Sequence, residues 1–322
     1  MAKQLPAKIL RILPLAVIGL FCAMATDARA QFTFASDNAG NSAYTNASVP
    51  GGWDNGDDGG FGFGGWGFSG GNADAGSFRG NPTNSGIANS NMGTVAFGMF
   101  SSATSSGFAN RSRGFDAGMG IGDSFTFDWG INWTPGASGG SKGFDIRAGG
   151  TTLFTVINSG TSDAIVFNNN VNSTSGNAAT SFGTNNMAVT ITRTATGYTF
   201  TMPTRSSGTL FTTNITTSST IDNFNFFIGN QQDNNGNRNM FFNNLSISNS
   251  GVFSQGGTVT NANTFAGTGA LSVGNSTTLA LSGSGNNNYS GATVISNGST
   301  LRFQGSGTSD FGSAISGGGA IV

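Results

Sequence analysis

The chain has 322 residues and a mass of 32.6 kDa, with 53 Gly, one Cys and no His. Only 8% of the residues are charged, the formal net charge is −1, and all 14 acidic residues are Asp. This inventory excludes a His/Cys zinc site and a Ser-His-Asp triad, and it leaves no basic footprint for nucleic acid.

Residues 1–30 read as a secretory leader. Lys3, Lys8 and Arg11 form a basic start, Ile12 to Ala25 is a short apolar run, and Ala28-Arg29-Ala30 offers small residues on either side of an arginine. Cleavage is therefore expected between Ala30 and Gln31, giving a secreted or cell-surface protein. The lone Cys22 leaves with the leader, so the exported chain has neither a thiol nor a disulfide. No later segment is apolar for long enough to cross a bilayer as a helix.

From Gln31 to about Ser250 the apolar period is two rather than 3.6. Phe125, Phe127, Trp129 and Ile131 alternate with small or polar residues, as do Phe144, Ile146 and Ala148. Met187, Val189 and Ile191 repeat the pattern, followed by Tyr198, Phe200 and Met202 and by the run from Phe242 to Ile247. Gly, Asn and Ser clusters separate these runs, so residues 31–250 are expected to form one antiparallel, jelly-roll-like β-sandwich. The 28 Phe must supply much of its core.

After Asn249 the texture changes to Ser, Gly and Thr, and a repeat emerges. Val273 to Gly285 reads VGNSTTLALSGSG, and Ile295 to Gly307 reads ISNGSTLRFQGSG, 22 residues later. Each unit carries a Leu-x-apolar strand closed by Gly-Ser-Gly. A short period with short strands predicts a parallel β-helix, or β-solenoid, over residues 251–322. The closing Gly317 to Val322 starts a further strand, so the solenoid is expected to be truncated here. The fold class is therefore all-β throughout.

Leu279-Ala280-Leu281-Ser282-Gly283, Asn288-Tyr289-Ser290-Gly291-Ala292-Thr293-Val294-Ile295 and Gly298-Ser299-Thr300-Leu301 together resemble the autotransporter-associated β-strand repeat of bacterial passenger proteins. The resemblance implies a right-handed β-helical stalk displayed at the cell surface. Gly51 to Gly56, Val95 to Met99, Gly122 to Thr126 and Met240 to Ile247 look like pieces of a concanavalin-like, laminin-G-like module. That likeness implies a jelly-roll head and transfers no catalytic residue.

Two constellations carry candidate chemistry. Asp54, Asp57 and Asp58 lie in Asp-Asn-Gly-Asp-Asp-Gly, a hard-oxygen cluster that suits Ca²⁺ or, alternatively, a turn of Asx side chains bonded to their own backbone. Trp53, Trp66 and Trp133 are candidate platforms for sugar rings, with core packing as the competing reading. No catalytic residue is assigned. Asp123 and Asp128 fall on opposite faces of one strand and do not converge as a glycosidase pair. The expectation is a non-enzymatic surface protein for adhesion or cell-envelope interaction, without a cofactor apart from the candidate Ca²⁺. The alternative is a secreted, lectin-like glycan binder or, beyond that, a polysaccharide hydrolase.

Overall fold

The computed structural model describes residues 31–44, 52–71, 74–87, 91–102, 106–179, 187–203 and 210–322. The leader residues Ala28 and Ala30 lie outside them, and Gln31 is exposed immediately before the first strand. Among the described residues there is no α-helix, and none of the helical turns is long and apolar enough to cross a membrane.

Fifteen strands build an antiparallel sandwich: β1 (Phe32–Asp37), β2 (Gly67–Gly70), β3 (Ala75–Gly80), β4 (Ala96–Ser101), β5 (Phe108–Gly114), β6 (Asp123–Ile131), β7 (Ser141–Ala148), β8 (Thr151–Ser159), β9 (Ile165–Asn169), β10 (Thr174–Ala179), β11 (Met187–Thr194), β12 (Gly197–Pro203), β13 (Leu210–Thr216), β14 (Asn223–Gly229) and β15 (Met240–Asn249). One sheet runs β13-β12-β11-β6-β15-β4-β3, with β1 also paired to β15; the other runs β10-β9-β8-β7-β14-β5-β2. The long β15 serves β4 with its first half and β1 with its second. A bulge between Asn243 and Ser246, with Asn244 at φ 55°, separates the halves.

The period-two residues meet between the sheets. Phe125, Phe127 and Trp129 of one sheet face Phe144, Phe224 and Phe226 of the other, all buried. Phe226 and Phe242 stack with centroids 3.6 Å apart at 7°, and Trp53, Trp66 and Phe97 pack around them. Aromatic rings thus fill the space that aliphatic side chains occupy in most cores, at about 0.5–1.5 kcal/mol per pair beyond burial.

Eleven short strands follow in parallel, forming a β-solenoid of about three turns: β16 (Val252–Phe253), β17 (Gly257–Asn261), β18 (Ala266–Gly267), β19 (Leu271–Val273), β20 (Thr277–Leu281), β21 (Asn287–Tyr289), β22 (Thr293–Ile295), β23 (Thr300–Phe303), β24 (Ser309–Phe311), β25 (Ile315–Ser316) and β26 (Ala320–Ile321). They stack as three sheets, β16-β19-β22-β25, β17-β20-β23-β26 and β18-β21-β24. Val273 sits beside Ile295 and Leu279 beside Leu301, which is the register the 22-residue repeat demands. The solenoid core also takes in Phe32 from β1, whose ring lies 4.7 Å from Phe265 and 5.4 Å from Tyr289.

Candidate functional site

The residues proposed from sequence for binding are mostly occupied elsewhere. Trp53 and Trp66 are each 1% exposed inside the aromatic core, so neither offers a face to a sugar. This corrects the platform reading for both; their Gly-rich surroundings let the rings pack inward. Trp133 is 40% exposed, with the Arg238 guanidinium 5.5 Å from its ring centroid. The loops carrying Trp133 and Arg238 are tied together from below by Lys142, whose Nζ donates to both backbone carbonyls. Burial pushes that ammonium well below its ordinary pKa.

In the Asp54–Asp58 loop the carboxylates have other partners. Asp54 Oδ1 accepts from the Asn55 N–H and Asp57 Oδ2 from the Asp54 N–H, at 2.7 Å each. Asp58 is drawn away to Arg113, 2.6 Å off. Among the described residues no three His, Cys, Asp or Glu could share a metal. Arg113, fully buried, also meets Asp37 at 2.5 Å. Tyr44 donates to the same Asp37 oxygen and accepts from Trp66 Nε1. Burial outweighs these partners and pushes the Asp37 carboxyl up to about 6.

A different surface collects functional groups. The apolar side chains of β7, β8, β14 and β5 point to the partner sheet, so the residues alternating with them lie on the outer face of the seven-stranded sheet, where Asn225 is covered by its neighbours and only 3% exposed. Registers align them into one row: Ser112, Asn225, Asp145, Thr155, Asn168 and Ser175. With Gly67 of β2 beside Ser112, the row crosses all seven strands, a length of roughly 28 Å at ordinary strand spacing. Asp145 is its centre. It accepts from Arg147 Nη2 at 2.7 Å, Thr155 Oγ1 at 2.9 Å and Asn225 Nδ2 at 3.4 Å.

Beside the row lies a depression of about 370 Å³ with two aromatic rings, Phe227 and the 54% exposed Phe108. Room for the rings comes from glycine. A Cβ on Gly143 would stand 3.0 Å from the Phe227 ring, and one on Gly229 3.3 Å from Phe108 Cβ. An aromatic edge beside fixed amide, hydroxyl and carboxylate groups suits a ligand with apolar C–H faces and many hydroxyls. The alternation Phe144-Asp145-Ile146 and Phe224-Asn225-Phe226 already places both polar residues opposite the core. Only the strand order shows that they are neighbours.

No family model matches the chain, and no curated protein is similar to it in sequence. Solved structures similar to it include the cellulose-induced protein Cip1 (11% identity, 56% of this chain and 90% of that one, TM-score 0.38). The CBM2 module of the Lactobacillus casei BL23 phage J-1 evolved Dit is another (12% identity, 68% and 96%, TM-score 0.38). A sialidase is also similar (8% identity, TM-score 0.35); the match takes in 48% of this chain and only 15% of that one. Alginate lyases recur as well, among them the Corynebacterium sp. enzyme (13% identity, 55% and 78%, TM-score 0.30). Because several of these structures are enzymes, the expectation of a non-enzymatic protein is corrected: this architecture is no ground for excluding catalysis. At such identities and TM-scores these likenesses assign no role to this chain, whose antiparallel β-sandwich stands on its own strand order.

Proposed function

We propose that the chain is an exported glycan-binding protein whose β-sandwich holds an extended polysaccharide along the outer face of its seven-stranded sheet. The observation that carries this reading is the polar row through Asp145 and Thr155, held from behind by the buried Asn225 amide, beside Phe227 and Phe108. A row of that length fits a polymer better than a single sugar. Export is supported by the leader sequence. The solenoid, with its repeat similar to passenger proteins, supports display of the sandwich on a stalk, which would make glycan binding a means of adhesion.

Affinity electrophoresis of the purified protein in gels containing alginate, cellulose derivatives, xylan or pectin tests the proposal. At least one polymer should retard it, and Phe227→Ala and Phe108→Ala should each weaken that retardation about tenfold, or ~1.4 kcal/mol. Unretarded migration in every gel, or retardation indifferent to both substitutions, overturns the assignment. The same samples are assayed for new reducing or unsaturated chain ends, whose release would make the row an active site.

A further inference from the structure

A second, larger groove of about 650 Å³ opens where the sandwich meets the solenoid. On the sandwich side it is aromatic, with Phe34 half-buried and Phe61 54% exposed. Phe61 is rigidly mounted. Its N–H and C=O bond reciprocally to Ser36 at 3.0 Å, and its neighbours Gly60 and Gly62 both have φ 76°. A Cβ on either glycine would fall within about 2.2 Å of a β1 carbonyl oxygen, at Ser36 or Phe34. These glycines press the chain onto β1 and leave the Phe61 ring standing in the groove.

The opposite wall comes from the loops after β17 and β20 and presents Thr264, Ser282 and Ser284. Asp116 is the charged residue that lines the space, and it is exposed. An aromatic face, a hydroxyl wall and one carboxylate acceptor match the C–H face and hydroxyls of an uncharged sugar. The same carboxylate repels a polyuronate. The two walls are fixed relative to one another, because Phe32 packs into the solenoid core and Asn263 Nδ2 donates to Asp123 of β6 at 2.6 Å. A groove assembled in advance loses little entropy on binding.

We infer that this groove is a second saccharide site, taking a neutral oligosaccharide. The inference shares only the ligand class with the proposal for the sheet face, and it stands or falls separately.

Calorimetric titration of the full chain with cellohexaose and maltohexaose as neutral probes, and with an oligogalacturonate as the anionic probe, tests it. A neutral hexasaccharide should bind, Phe61→Ala should weaken it about tenfold, and Phe227→Ala should leave it unchanged. Ser284→Trp, which fills the groove from an exposed loop, should abolish binding and covers the case in which Phe61→Ala perturbs folding. Asp116→Asn should let the oligogalacturonate in. Failure of both neutral probes to bind, full binding in both Phe61→Ala and Ser284→Trp, or loss confined to Phe227→Ala overturns the groove. The last result would do so while supporting the sheet face.

Discussion

Asp123 of the sandwich accepts a 2.6 Å hydrogen bond from Asn263 of the solenoid, 140 positions away in the chain. The same carboxylate accepts from Asn249, Asn261 and the Gly120 N–H, and it is fully buried. The Asn orientations are imposed from outside. Asn249 Oδ1 takes the Gly251 N–H and Asn261 Oδ1 takes the Asn263 N–H, which turns both amide NH₂ groups onto Asp123. The cluster is thus a set of donors around one anion, built to join two parts of the chain.

Burial of that carboxyl makes stability fall with rising pH across a defined window. Burial pushes the Asp123 carboxyl from 3.8 up to about 6, against the pull of its donors. Between those values the folded state holds a proton that the unfolded state has lost, so folding stability declines as pH rises from about 4 to about 6 and then levels off. The contribution is at most about 3 kcal/mol. Melting temperatures of the parent and Asp123→Asn across this range should show a flatter curve for the variant. Some slope will remain, because Asp37 is raised in the same direction.

Arg113→Met should be among the most destabilising single substitutions in the sandwich. It strips Asp37 of its buried cation while leaving the carboxyl in place, at a cost of about 3–5 kcal/mol. Asp58, largely exposed, adds little to that figure. Urea unfolding followed by tryptophan fluorescence measures the change, and a loss below about 1 kcal/mol would contradict the network described here.

Two tryptophans separate core from surface. Trp53→Ala removes a ring packed against Trp66, Phe68, Phe97 and Phe242 and should cost about 3–5 kcal/mol. Trp133→Ala, on its exposed loop, should cost less than about 1 kcal/mol. Equal effects in denaturant titrations would refute this placement.

Calcium should not stabilise the fold. Asp58 is committed to Arg113, Asp54 and Asp57 each accept from a backbone N–H, and among the described residues no group of three carboxylates could share a metal. Melting curves with calcium chloride or with a chelator should coincide; a rise with saturating metal would restore the Ca²⁺ reading.

Much of this molecule was legible in the sequence because its signals were periodic. Phe125 to Ile131 became β6, Phe144 to Ala148 became β7, and the 22-residue repeat became the stacked pairs Val273/Ile295 and Leu279/Leu301. Site residues were harder to read, because a Gly-Trp-Gly context is compatible with either an exposed platform or inward packing. Trp66 took the second course, with its Nε1 bonded to Tyr44. The row through Asn225 and Asp145 depends on β14 lying next to β7, a pairing between segments about 80 residues apart that no local pattern encodes. The junction groove is hidden for the same reason, since Phe61 and Ser284 come together only in three dimensions.

Phe32 begins β1 yet packs into the core of the solenoid, touching Phe265 and Tyr289. The solenoid is therefore not an independent appendage. Its first turns borrow a wall from a segment more than two hundred residues upstream, and a fragment of residues 251–322 should lack a cooperative melting transition. The order of events during synthesis follows. The Phe32 ring waits without its solenoid partners until residues 265 and 289 have emerged, so closure of this seam belongs to the high-contact-order phase of folding. Its timing should track loop closure over those two hundred residues rather than local strand formation.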